Sequence, residues 1–259
     1  MSFLSKPAKI IEKKGPRAVF EVEELYPGYG VTVGNSLRRV LLSSLGGAAA
    51  TRVKIKGVSH EFTAIPGVME DAVMLFLNLK QLRFKMTGDE SQKATLKVKG
   101  EKEVKASDFE LPSQLELINE DLHIATLTSK SSELEMELQI EKGIGYVPSL
   151  KLQKEREDIG TIVLDAIFTP VRNVSYRVDH MRVGERTDFD KLTITVETDG
   201  TMSPEEAMFN SAEILRNEFE QIAQGVKGSI KEEKPASKTE EKQPKAKKAK
   251  SLKKSSKKK

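Results

Sequence analysis

The sequence contains no cysteine, no tryptophan and only three histidines among its 259 residues. The absence of cysteine excludes disulfide-stapled scaffolds and metal sites built on thiolates. No run of about 18 apolar residues is present, and the N-terminus, MSFLSKPAKIIEKKG, lacks the apolar segment of a signal peptide. We therefore expect a soluble, cytoplasmic protein that neither enters a membrane nor holds a cofactor.

Residue types that commonly carry catalysis are scattered. His60, His123 and His180 follow no His-x-x-x-His spacing and predict no metal site. No serine lies in the G-x-S-x-G motif of a hydrolase. Asp188 and Asp190 could bind a cation, but we expect them in a turn before the next strand. Nothing resembles the clustered aspartates of a two-metal centre, so we predict no catalytic residue in this chain.

A glycine-rich segment, PGYGVTVGNSLRRVLLSSLGG (27–47), raises the question of nucleotide binding. Gly28 and Gly30 fit the first two glycines of the dinucleotide fingerprint, but Val33 occupies the position of the third. A phosphate-binding loop would require Lys after Gly34, where the chain has Asn35. We therefore interpret the glycines as a tight turn before a helix that Gly34 or Asn35 caps.

The charge is distributed unevenly. The formal net charge is +4, yet residues 226–259 contain 14 lysines and 4 glutamates, for a charge of +10, and the remainder carries −6. The segment from 226 onward has almost no apolar residue beyond Ile230 with which to form a core. We predict that residues 226–259 are a disordered basic tail.

Alternating apolar residues predict several strands, of which ELEMELQIE is the clearest. The others are RAVFEVEE (17–24), TRVKIKG (51–57), TIVLDAIF, NVSYRV and KLTITVET. EDAVMLFLNLKQL (70–82) is apolar nearly all round and predicts a largely buried helix. The mixture indicates a strand-rich α+β fold with few helices.

Two helices carry unusual apolar patterns. In the first, Leu42 lies beside Arg38 and Arg39, away from the stripe formed by Leu37, Val40, Leu41 and Leu45. The last helix begins with a capping box at Ser203. It continues with a heptad-like seam of Met208, Ala212, Leu215, Phe219 and Ile222. The seam fits either an ordinary core helix or a helix that packs on a partner.

Several specific segments occur in a fixed order: GYGVTVGNSLRRVLLSSLGG, GVSHEFTAIPGVMED, NLKQL, GYVPS, DAIFTPVRNVSYRV and RVGERTDFDKLTITVETDGTMSPEEAM. Together they resemble the α subunit of bacterial-type RNA polymerase, over residues 15 to 225. The resemblance implies a dimerisation subdomain of a sheet and two long helices, made of residues 1–46 and 171–225. A β-rich subdomain, residues 47–170, is inserted between these two parts.

The resemblance also implies a function. It makes this chain a non-catalytic subunit of a nucleotidyltransferase that forms a homodimer and scaffolds the β and β′ subunits, in an enzyme that also contains ω and sigma. The segments matching large-subunit contacts contain Arg38, Arg39, Leu42, His60, Glu61, Phe62, Lys80 and Asp165. The expected dimer interface contains Leu37, Leu41, Leu45, Met208, Ala212, Leu215, Phe219 and Ile222.

The lysine-rich tail stands where the family usually carries a helical DNA-binding domain, and we expect that domain to be absent. Flexible lysines neutralise phosphates without reading bases. The tail is therefore predicted to bind DNA non-specifically through residues such as Lys247, Lys248, Lys250, Lys253 and Lys254. The simpler interpretation is that the tail is only a solubilising or crowding spacer. The alternative function is a basic-tailed nucleic-acid-binding or ribosome-associated scaffold.

Overall fold

The computed structural model describes residues 5–153 and 160–232. The described residues divide into two units, one that ends at Glu218 and one that begins at Phe219. The described part of the second unit is helical. Within these residues the fold is a sheet-rich α+β fold, as the sequence predicts.

The described residues form four α-helices, one short 3₁₀ helix (Ala106–Asp108) and fourteen strands. The helices are α1 (Tyr29–Ser43), α2 (Ala72–Leu79), α3 (Ser149–Leu152) and α4 (Pro204–Glu232). The strands are β1 (Lys9–Lys14), β2 (Arg17–Leu25), β3 (Gly46–Ile55), β4 (Phe84–Met86), β5 (Gln92–Lys99), β6 (Lys102–Lys105), β7 (Leu115–Leu117), β8 (His123–Leu127), β9 (Glu133–Ile144), β10 (Tyr146–Val147), β11 (Thr161–Val163), β12 (Ala166–Ile167), β13 (Val171–Val183) and β14 (Arg186–Thr198).

One sheet joins segments from distant parts of the chain. Its order is β1–β2–β14–β13, and each pair is antiparallel. Phe20 of β2 pairs with Ile194 of β14, and both side chains are buried. Helix α1 packs against β13 and β14. This sheet and α1 enclose a cluster of buried side chains that also includes Met208 at the start of α4.

A second sheet lies in the middle of the chain. Its order is β5–β9–β3–β4–β7, with β11 paired to β3. Two further ribbons pair β10 with β12 and β6 with β8. In β9 the alternating residues Leu134, Met136, Leu138 and Ile140 are buried, as their spacing predicts. These side chains pack with Leu75 of α2 in a separate core cluster. The boundaries at 46/47 and 170/171 stay a prediction.

Helix α1 begins earlier than expected. It starts at Tyr29 rather than after Gly34 or Asn35, and its N-cap is Gly28, whose φ of 84° lies in the left-handed region that suits glycine. Gly34 is buried inside the helix. A Cβ atom there would lie 2.8 Å from Tyr176 Cδ2 and 2.9 Å from Leu192 Cδ1. Gly34 therefore allows the helix to pack closely on the sheet.

Replacing Gly34 with Ala is expected to destabilise the protein, although Ala is the better helix former by about 1 kcal/mol. The added methyl group overpacks the contact with the sheet, at a cost of roughly 1–3 kcal/mol. Gly225 of α4 is the matched control, because a Cβ there meets no atom of the described residues within 4 Å. Thermal unfolding should show a lower Tm for Gly34→Ala and an unchanged or higher Tm for Gly225→Ala. Equal shifts would contradict the close packing.

Helix α4 extends beyond the predicted end of the folded region. The Glu206 N–H donates to Ser203 Oγ at 3.2 Å, which confirms Ser203 as the cap. The helix continues through Glu232, so residues 226–232 are helical and not part of a disordered tail. The DNA-contact prediction for Lys247, Lys248, Lys250, Lys253 and Lys254 lies outside the described residues.

Candidate subunit interface

Lys80 and Asp165 form a partly exposed ion pair. Lys80 follows α2 and Asp165 lies between β11 and β12. Their Nζ and Oδ2 atoms are 2.8 Å apart. The backbone N–H of Ser149 donates to Asp165 Oδ1, also at 2.8 Å. These two hydrogen bonds lower the pKa of Asp165 to about 2. The carboxylate is therefore ionised at neutral pH and held in one orientation.

A surface cavity of about 280 Å³ lies beside this ion pair. Glu61, Phe62, Lys80 and Asp165 all line it, although they come from three separate segments of the sequence. The structure thus brings together four of the eight residues predicted to contact a large subunit. His60 is exposed, and its ring Nδ1 lies 3.2 Å from Thr63 Oγ1.

Helix α2 presents apolar side chains to solvent next to the same cavity. The sequence predicts a largely buried helix, but only one side is buried, through residues such as Leu75 and Leu79. On the other side Val73 and Leu77 line the cavity and are 37% and 49% exposed. Phe62 is 78% exposed. Contiguous exposed apolar side chains beside fixed charges are typical of a protein–protein interface.

The three candidate residues of α1 differ in their surroundings. Arg38 is exposed, but its Nε donates to the backbone carbonyl of Val174 at 3.2 Å, which ties it to β13. Arg39 is exposed. Leu42 is half-buried and packs against the core of the four-stranded sheet. Arg39 is therefore the residue of this group whose side chain is most available to a partner.

The start of α1 depends on Asp190, which the sequence predicts in a turn. Asp190 lies within β14, not in a turn, and it is 3% exposed. Its Oδ2 atom accepts hydrogen bonds from the backbone N–H groups of Gly28 and Gly30, at 2.9 and 3.0 Å. A carboxylate at this end of a helix also interacts favourably with the helix dipole. Asp190 therefore orients the helix that carries Arg39.

Known proteins resemble this chain over most of its length. The DNA-directed RNA polymerase subunit alpha of Aquifex aeolicus is 46% identical over 217 residues, which cover 83% of this chain and 68% of that protein. The chain belongs to the RNA polymerase α-subunit family. A model of the RNA polymerase Rpb3/RpoA insert domain matches residues 53–169, the part of this family member that contains Lys80 and Asp165.

Two further α subunits are also about half identical to this chain. That of Syntrophomonas wolfei is 51% identical over 197 residues, 76% of this chain, and that of Symbiobacterium thermophilum is 49% identical over 201 residues, 78% of this chain. The matched part covers 62% and 64% of those two proteins. The chain therefore spans about three-fifths of the length of these relatives.

Several residues expected at the dimer interface of this α-family chain lie in its own core. Leu37, Leu41 and Leu45 of α1 are buried against the four-stranded sheet, and so is Met208 of α4. These side chains therefore pack mainly within the chain itself, and their contact with a second copy stays a prediction. Leu215 is half-buried and packs on the same core.

The remaining dimer candidates are on the surface of α4. Ala212 is exposed. Phe219 and Ile222, in the second unit, are each 62% exposed. They lie three residues apart on the helix and so share one face. These residues stay candidates for contact with a second copy.

Two kinds of feature are not found in the described part of the chain. Residues 5–153 and 160–232 contain no group of three or more His, Cys, Asp or Glu side chains suited to a metal ion. No helix within those residues is both long and apolar enough to cross a membrane.

Proposed function

We propose that this chain is a non-catalytic α subunit of a cytoplasmic DNA-directed RNA polymerase. In this proposal it forms a homodimer and scaffolds the β and β′ subunits, in an enzyme that also contains ω and sigma. Family membership supports the proposal. The observation that carries it is the shared cavity of Glu61, Phe62, Lys80 and Asp165, which offers a large subunit apolar contacts beside two fixed charges.

The large-subunit surface is proposed to include two patches. One is the Lys80–Asp165 cavity with His60 at the neighbouring loop, and the other is the part of α1 that carries Arg38, Arg39 and Leu42. Exposed arginine suits such a surface, because its planar guanidinium donates several hydrogen bonds in a fixed geometry to carboxylates and carbonyls. Arginine is also enriched among the residues that dominate binding energy.

The tail, including Lys247, Lys248, Lys250, Lys253 and Lys254, is proposed to add a non-specific contact with DNA through its positive charge. The alternative of a ribosome-associated scaffold depended on this basic segment alone. Relatives that are about half identical over some 200 residues support the polymerase instead.

Capture of the β subunit by an Arg39→Ala variant tests the proposal. We expect the variant to fold and dimerise normally but to bind β roughly 30-fold more weakly, the effect of losing about 2 kcal/mol at a binding hot spot. Arg177→Ala is the control, because Arg177 is an exposed arginine of β13 that is ion-paired with Asp179. Unchanged binding by Arg39→Ala, or equal losses for both variants, would contradict the role of α1.

A further inference from the structure

The turn after α2, which carries Lys80, is held by one arginine. The Arg83 side chain donates from Nη1 to the backbone carbonyls of Lys80 and Leu82, at 2.9 and 3.0 Å. Its own backbone N–H donates to Asn119 Oδ1 at 2.9 Å, and Asn119 Nδ2 donates to the carbonyl of Gln81 at 2.8 Å. Three successive carbonyls of the turn are thus hydrogen-bonded by two side chains.

Arg83 also reaches a distant part of the same unit. Its Nε lies 3.3 Å from Asp199 Oδ2, and the two side chains are only 19% and 4% exposed. Asp199 lies between β14 and α4, where its Oδ1 accepts hydrogen bonds from the backbone N–H and the hydroxyl of Thr201, at 3.0 and 2.6 Å. The Asp199 N–H donates to the carbonyl of Pro170, the residue before β13, at 2.9 Å.

This largely buried pair connects the turn after α2 with the segment between β14 and α4. Arg83 belongs to the inserted segment, and Asp199 belongs to the segment that leads from the four-stranded sheet to α4. Exposed ion pairs contribute little, but a buried pair with further hydrogen bonds restrains both side chains. Losing one partner leaves the other charge buried and unpaired.

We propose that Arg83 is a positioning residue for the large-subunit interface. By binding the turn of Lys80 on one side and Asp199 on the other, it holds the Lys80–Asp165 surface in one orientation relative to the four-stranded sheet. Helix α1, with Arg39, packs on that sheet. A large subunit that contacts both patches binds more tightly when their geometry is fixed in advance. This inference rests on the proposed function.

Hydrogen exchange of the dimeric full-length chain tests the connection without any partner. In Arg83→Met the amides of residues 80–83 and the amide of Thr201 should both exchange about tenfold faster than in the wild type. Arg83→Met/Asp199→Asn removes both charges, and we expect it to recover most of the thermal stability. Faster exchange confined to one segment would overturn the connection.

The affinity for the β subunit tests the role in positioning. The Arg83→Met/Asp199→Asn variant should bind β about tenfold more weakly than the wild type. In a Lys80→Met background the same pair of changes should alter affinity less than twofold, because Arg83 acts through the Lys80 turn. Leu96→Ala in β5 is the control for lost stability, since Leu96 is fully buried in the sheet of the inserted segment. It should lower Tm without changing β affinity.

Each result bears on a different claim. Additive losses for the Arg83 and Lys80 changes, or equal affinity of the double variant and the wild type, would overturn the positioning role alone. If Leu96→Ala weakened β binding as much as the double variant does, the loss would reflect reduced stability in general. That result would also overturn the positioning role. Failure of the wild-type chain to bind β or β′ would overturn the proposed function, and the positioning role with it.

Discussion

A Phe219→Glu variant is expected to sediment as a monomer at micromolar concentration, whereas we expect the wild-type chain to sediment as a dimer. Phe219 and Ile222 expose most of their side chains on one face of α4, and we propose that a second copy covers them. A carboxylate at this position would be buried without a partner, at a cost of at least about 3 kcal/mol. That cost corresponds to a more than hundredfold weaker dimer.

Asn217→Glu is the matched control for this experiment. It adds the same charge two residues earlier, on nearly the opposite side of the helix, where Asn217 is exposed. Asn217→Glu should remain a dimer. A monomeric wild type, or a fully dimeric Phe219→Glu variant, would show that this face of α4 is not the interface.

The second large effect is expected for Asp190→Ala, which should lower the free energy of unfolding by about 2–4 kcal/mol. The change removes the acceptor for the N–H groups of Gly28 and Gly30. It also leaves those donors unsatisfied at the start of α1, where Gly30 is buried. Urea unfolding followed by circular dichroism measures the loss. Asp190→Asn, which keeps an acceptor oxygen, should fall between Asp190→Ala and the wild type.

Asp188→Ala provides the comparison within the same strand. Asp188 is about half exposed and pairs with Arg186, whose Nη2 atom lies 2.7 Å from Asp188 Oδ2. Exposed pairs of this kind contribute little, so the variant should unfold at nearly the same urea concentration as the wild type. Similar losses for Asp188→Ala and Asp190→Ala would contradict a specific role of Asp190 at α1.

The exposed half of α2 shows why the interface was harder to predict than the core. A run that is apolar nearly all round predicts a buried helix, because most such helices lie in a core. Here Leu75 and Leu79 are buried whereas Val73 and Leu77 are exposed. The sequence alone cannot distinguish burial within one chain from burial against a partner, since both favour the same residue types.

The sequence by itself determined the local features of this protein. Alternation in β9 predicted a strand with one buried face, and Ser203 predicted the start of α4, because both signals act between residues close in the chain. The ordered motifs also indicated the α-subunit family, which the relatives confirm.

Only the tertiary structure decided how distant segments meet. It placed Asp190 at the start of α1, joined Lys80 to Asp165, and paired Arg83 with Asp199. It also packed Leu37, Leu41 and Leu45 into the core against the four-stranded sheet. These contacts depend on the pairing and packing of sheets built from strands far apart in the sequence. Helical and strand periodicities show which side of an element is apolar, but they do not specify what that side will contact.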